Sequence, residues 1–243
     1  MDYPEVSICI PVYERNEFLY LTLSNIKRQT YPHNKLTVII DECKSTNPFI
    51  TDISQVRQYL HPIKLIHKVY NSRSGIGEKR NRLVKTATTK YIQFFDTDDF
   101  YFNKCIQYNY ESLIQNKVKC CGSNKMSFCY IDDKFKLSAI DCGDIVDLIH
   151  EATLFMDRKW FHTTNKFSRF HNGEGRRLFE GVNKKNIHIT DVNNVMICLV
   201  HKSNTVSKEQ FSPDVIYKET DEIKYLDDDL QEYLKTIIKY LKK

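Results

Sequence analysis

Tyr91–Phe100 reads Y-I-Q-F-F-D-T-D-D-F, and its two halves carry opposite chemistry. Tyr91, Ile92, Phe94 and Phe95 make an apolar run of strand length, which suits a parallel strand covered on both faces. Asp96, Asp98 and Asp99 end it abruptly. Carboxylates this close repel one another unless positive charge stands among them. In α/β sheets, ligands bind beyond the carboxyl ends of the strands, which is where these acids fall. A hard divalent cation takes oxygen ligands, and one that also holds substrate phosphates needs only one or two protein carboxylates. The segment reads either as a metal–diphosphate site or as an acidic surface turn.

Upstream, short apolar runs alternate with helical patterns. Val6–Ile10 is a β-rich run that Pro11 is expected to end. A helix is predicted over about Glu17–Gln29, with Leu19, Leu23 and Ile26 on one face. Leu36–Ile40 is a second buried strand followed by Asp41 and Glu42; Asp52–Leu60 is helical and Ile63–Val69 a third strand. Gly75-Ile-Gly77 introduces a helix over Glu78–Thr88 that carries Lys79, Arg80 and Arg82 early. Cations at a helix start oppose the macrodipole, so they read as groups for an anionic ligand rather than for helix stability. This alternation predicts a parallel, doubly wound sheet with helices on both faces.

Downstream the pattern is less regular. A helix is expected over Asn103–Asn116, strands near Cys120, Met126–Ile131 and Ala152–Met156, and a short helix at Arg158–Thr163. Phe167–Gly175 reads as a loop, a helix starts at Glu174 or Arg176, and Val195–Val200 is a late strand ending at His201. Thr205–Lys218 is polar linker. Asp221–Leu241 is the clearest amphipathic helix, with Ile223, Leu226, Leu230, Leu234, Ile237 and Leu241 in one stripe.

The 243 residues suffice for one large domain or two small ones. A net charge of +5, spread along the chain, demands no nucleic-acid partner and suits an anionic substrate. No apolar run reaches the roughly 18 residues of a membrane span. No signal peptide is read at the start, so the cysteines are expected as buried thiols and the protein as cytoplasmic.

Several segments, in order, resemble family 2 glycosyltransferases, nucleotide-sugar-dependent enzymes of GT-A fold. Val6–Asn16 looks like the family's opening strand and nucleotide loop, and Asp41-Glu42 like its acidic pair. Gly75–Asn81 is similar to its G-x-x-x-A-R-N segment, and Asp96-Thr97-Asp98-Asp99 to its D-x-D-D. Gly173-Glu174 resembles its G-E-D element, and His201–Thr205 a terminal H-x-x-N-T.

The resemblance implies a GT-A catalytic domain over 1–205, with a nucleotide-binding half (1–100) and an acceptor half (101–205), then a linker and C-terminal helix over 206–243. It implies transfer from a nucleoside-diphosphate sugar, a UDP-sugar by expectation, to a glycan, protein or lipid-linked acceptor. A Mn²⁺ or Mg²⁺ ion would be held by Asp99, Asp98 and His201. Asp98 is alternatively a ribose ligand. Pro11, Tyr13 and Glu14 would line the base pocket, Asp41 or Glu42 would meet a uracil-type imide, and Arg80 and Asp96 would complete the donor site. The family's base is usually the aspartate of its E-D pair. Here that position is Gly175, leaving Glu174 as candidate base, with Asp144 or Asp157 as alternatives. The Q-x-x-R-W motif of processive members is missing, which favours single-sugar transfer. Two other readings stand beside this one: a degenerate nucleotide-sugar-binding domain, and a sugar-phosphate nucleotidyltransferase, which should carry glycine in Pro11–Asn16.

Overall fold

The computed structural model describes residues 3–133, 135–141, 148–169, 173–204 and 228–241. The expected linker, the first turns of the C-terminal helix, Asp144 and Thr205 lie outside them. The first half runs β1 (Val6–Val12), α1 (Leu19–Lys27), β2 (Leu36–Cys43), α2 (Ile53–Leu60), β3 (Lys64–Tyr70), α3 (Ile76–Thr86) and β4 (Tyr91–Phe94). The second runs β5 (Phe100–Tyr101), α4 (Cys105–Gln115), β6 (Cys120–Gly122), β7 (Lys125–Tyr130), β8 (Lys136–Asp141), β9 (Phe155–Asp157), α5 (Arg158–Thr163), α6 (Arg176–Phe179), β10 (Ile187–Ile189), β11 (Met196–Val200) and α7 (Asp228–Leu241).

The main sheet has the order β10-β6-β9-β4-β1-β2-β3. All its neighbours pair in parallel except β9, which runs antiparallel to both β4 and β6. Strand order reverses between β1 and β4, so their carboxyl ends frame the crevice where such sheets take ligands. Side chains alternate across this sheet. Ile8, Ile10, Val38 and Ile40 pack with Ile26, Val56 and Leu60 of α1 and α2. Cys9, Ile39, Ile92 and Phe94 pack with Leu83 and Val84 of α3. A second sheet, β5-β11-β7-β8, joins Phe18 and Leu21 to Leu234 and Ile237 of α7. The C-terminal stripe is thus covered by its own domain at these two residues.

Several boundaries differ from expectation. β1 continues through Pro11 to Val12, pairing Pro11 with Asp41. Pairing to β4 ends at Cys9–Phe94, and Cys9 O accepts only the Phe95 N–H beyond it. Pro11, two residues on, faces the same side, where no ladder bond remains to lose. β2 likewise extends to Cys43, so Asp41 and Glu42 lie inside it rather than after it. Ala152–Met156 is not one strand: Glu151–Thr153 is a 3₁₀ turn leading into β9. β8, half polar, had no apolar run to announce it.

Candidate active site

Strand ends, turns and α3 together bring charged side chains to the carboxyl edge of the sheet. Asp41 and Glu42 point to opposite faces of β2. Asp41 is buried under α3, where Arg82 Nε and Nη2 each donate to it at 2.8 Å. Arg82 also lies 4.0 Å from the Tyr70 ring centre and donates to Ser74 Oγ. Glu42 faces the other way, accepting from Phe49 N at 2.6 Å and meeting His67 Nε2 at 2.7 Å. At 1% exposure it is enclosed by these contacts, whereas Asp41 joins the α3 cluster. Lys79, buried between the ends of β1 and β2, donates to Val12 O, and burial lowers its pKa.

After β1 the backbone turns through two left-handed residues, Glu14 (φ 61°) and Arg15 (φ 72°). Non-glycine residues hold this conformation at a cost, and such pairs mark sites where the surrounding structure dictates the turn. Pro11 is buried at the strand end, while Tyr13 is half-buried with the Arg73 guanidinium 4.3 Å over its ring. The turn aims Arg15 at Asp98 (3.5 Å) and at the Ser203 carbonyl.

The turn after β4 separates its aspartates. Asp96 accepts from Arg80 Nη2 through both oxygens, at 3.1 and 3.2 Å. Asp98 faces Arg15 and, at 3.3 Å, His201 Nε2. Asp99 turns inward, 6% exposed, to accept from Leu199 N at 3.2 Å, while Asn25 Nδ2 donates to its carbonyl. Burial raises the Asp98 carboxyl, but the hydrogen bond and charge of His201 and the charge of Arg15 outweigh it, leaving it below the ordinary range. Asp99 goes well above that range through burial and the charges of Asp98 and Asp96. Asp96 is also raised, by burial against the opposing pull of Arg80. His201 is buried against the Phe18 ring (centroids 4.7 Å apart), and its Nδ1 has no hydrogen-bond partner among the described residues.

Arg80 links this turn to the second half. Buried at 2% exposure, it donates from Nε to Glu174 Oε1 at 3.0 Å as well as to Asp96. Burial raises the Glu174 pKa, Arg80 opposes this, and Glu151 adds to it. Glu151 Oε1 accepts the Gly175 N–H at 2.7 Å. Asp157 stands elsewhere: it pairs with Tyr91, the first residue of β4, and caps α5, at the sheet's other edge.

Asp41, Arg80, Asp96, Asp98, Glu174 and His201 thus gather at one edge, with Tyr13 and Glu14 on the adjoining turn. Arg15 and Glu151 join them unforeseen, and Arg82, expected to meet an anionic ligand, joins them on Asp41. Only Arg82 had a signal, its place in the α3 basic cluster. Among the described residues, no group of three or more His, Cys, Asp or Glu side chains is arranged to hold a metal.

The parallel sheet with its crevice at β1 and β4, and its acidic turn there, define a GT-A glycosyltransferase fold. Solved structures share it. Staphylococcus aureus TarS 1-349 in complex with UDP aligns with a TM-score of 0.63 at 14% identity, covering 81% of this chain and 61% of that one. The mannosyltransferase PcManGT from Pyrobaculum calidifontis, in complex with GDP-Man and Mn²⁺, gives 0.62 at 17% identity over 87% and 59%.

The chain belongs to glycosyl transferase family 2, whose model matches residues 7–175. It is 28% identical to a poly(ribitol-phosphate) beta-glucosyltransferase of Bacillus spizizenii, over 47% of this chain and 18% of that protein. It is 27% identical to WfgD of Escherichia coli, a UDP-Glc:alpha-D-GlcNAc-diphosphoundecaprenol beta-1,3-glucosyltransferase, over 51% and 47%. The chain spans less than half the length of these curated relatives.

Proposed function

We propose that residues 1–205 form the catalytic domain of a metal-dependent, inverting glycosyltransferase that moves single sugars from a nucleoside-diphosphate sugar to an acceptor hydroxyl. The observation that carries this reading is the surplus of carboxylate over cation after β4, where Asp98 and His201 stand 3.3 Å apart. A UDP-sugar is the donor in this reading; TarS with UDP, and the UDP-Glc in the name of WfgD, support it. A glycan or lipid-linked acceptor is supported by the acceptor in that same name.

Asp98 and His201 fit a Mn²⁺ or Mg²⁺ ion. A carboxylate and an imidazole are acceptable donors, Asp98 Oδ2 and His201 Nε2 stand 3.3 Å apart, and the remaining ligands of such an ion would come from diphosphate and water. Asp99 supports this turn from within through Leu199. The chemistry a divalent ion supplies here is neutralisation of charge on the departing diphosphate. Arg15 adds positive charge beside it. Tyr13, Pro11 and Glu14 line the base, and Asp41, oriented by Arg82, meets its imide. The acceptor proton goes to a carboxylate of the cluster around Arg80, of which Glu174 is the member the sequence nominates.

A binding domain without turnover is the second reading, favoured by Gly175 in place of a carboxylate. Release of nucleotide from UDP-, GDP- and dTDP-sugars, with Mn²⁺, Mg²⁺ or EDTA, separates the two. Turnover of one donor is expected, abolished by EDTA and reduced at least about 100-fold by Asp98→Asn. Donor binding without turnover under every condition would favour the second reading.

A further inference from the structure

Three carboxylates surround Arg80, and their partners differ. Asp96 takes Nη2 with both oxygens, and Glu174, 5% exposed, takes Nε. Glu151 pairs with no cation among the described residues. Its single hydrogen bond is the one Oε1 accepts from Gly175 N, and it is half-buried rather than enclosed. One guanidinium charge is already committed to Asp96 and Glu174, so Glu151 is the member left to act as a base.

Its place in the fold agrees. β9 runs back along β4, with Leu154 O accepting from Phe94 N. The residues preceding β9 therefore stand beside the turn that follows β4. Tyr101 ties the two together: its hydroxyl accepts from Asp96 N at 2.8 Å and donates to Ala152 O at 3.3 Å. Glu151 is next to Ala152, at the carboxyl edge with the rest of the site.

Gly175 supplies the decisive detail. A Cβ built there would lie 2.6 Å from Glu151 Oε1 and 2.7 Å from its Cγ. Its backbone (φ −75°, ψ −24°) is one any residue adopts, and the three atoms nearest to that Cβ all belong to the Glu151 side chain. The carboxyl group of Glu151 fills the space that a side chain at 175 would enter.

We infer that Glu151 is the catalytic base, delivering from the turn before β9 the carboxylate that position 175 lacks, with Glu174 as a positioning residue that holds Arg80. The inference rests on the glycosyltransferase reading. The acceptor hydroxyl gives its proton to Glu151 as its oxygen bonds to the sugar's anomeric carbon. The bond from that carbon to the diphosphate breaks, and its electron pair leaves on the phosphate oxygen.

The test measures UDP release from UDP-glucose and UDP-N-acetylglucosamine, with water or added glycan as acceptor, beside UDP binding by calorimetry. Glu151→Gln should lower kcat at least about 100-fold while leaving donor KM and UDP affinity within about threefold. Glu151→Ala opens the space beside residue 175, so Glu151→Ala/Gly175→Asp should regain at least about tenfold over Glu151→Ala alone. A merely structural Glu151 gives no such rescue. Turnover within about threefold of wild type in Glu151→Gln, loss of UDP binding with it, or a double variant no better than Glu151→Ala would each overturn the assignment. A wild-type protein that turns over neither donor overturns the glycosyltransferase reading for these donors, and the assignment with it.

Discussion

Two strands of the sheet carry acids at their carboxyl ends, β2 within its last residues at Asp41-Glu42 and β4 in the turn Asp96–Asp99 that follows it, and they settle their charge differently. On β2 each acid has its own partners: Arg82 grips Asp41 through two nitrogens, while His67 and the Phe49 amide take Glu42. After β4, Arg80 is shared by Asp96 and Glu174 with Glu151 beside it, and Asp98 faces Arg15 and His201. At the first end every acid has a partner of its own, which fixes backbone and pocket. The second carries surplus negative charge, which suits a site that receives cations and protons. Acidity alone does not separate these roles; the count of partners does.

The largest test removes the shared partner. Arg80→Leu strands Asp96 and Glu174, and breaking a buried pair from one side costs about 3–5 kcal/mol. At about 2–4 °C per kcal/mol for a chain of this size, the melting temperature should fall by at least 6 °C. A fall below about 2 °C would mean that the acids relax into solvent and that Arg80 is not their keystone. On the β2 side, Asp41→Asn leaves Arg82 its Ser74, Glu78 and Tyr70 contacts. The loss should be smaller, about 1–3 kcal/mol by urea denaturation. Equal losses for the two variants would erase the contrast.

Much of this arrangement was readable in the sequence, because it depends on local pattern. The apolar runs that end in acids located the strands, and the D-T-D-D stretch marked the turn after β4 where charged side chains gather. What was not readable depends on direction and distance. Hydropathy cannot tell that β9 runs antiparallel, yet that direction is what brings Glu151 to the carboxyl edge. Which aspartate of a turn faces inward is fixed by its partner, here the Leu199 amide for Asp99, a hundred residues on. Arg80 reaches Glu174 across 94 residues, and no local spacing encodes that contact. Pro11 misled for a related reason. Proline ends a strand only where a neighbour would receive its N–H, and β4 had already stopped.

The finest test of the contrast is the sign of a pH dependence. Burial raises the Glu174 carboxyl above its ordinary range, Arg80 pulls it down, and Glu151 pushes it up, leaving it raised. A carboxyl raised in the folded state favours folding most while it holds its proton. Its contribution is full below the unfolded value near 4.3 and is lost as pH rises through the folded value. Glutamine keeps the shape and has no proton to lose. The stability of Glu174→Gln relative to wild type should therefore move in the variant's favour as pH rises from about 4 to about 8, read by thermal melting in EDTA. The opposite slope would mean that Arg80 holds Glu174 ionised as firmly as Arg82 grips Asp41. Each strand end would then hold a firmly ionised acid, and the contrast between them would rest on Glu151 and Asp98, the acids that Arg80 does not grip.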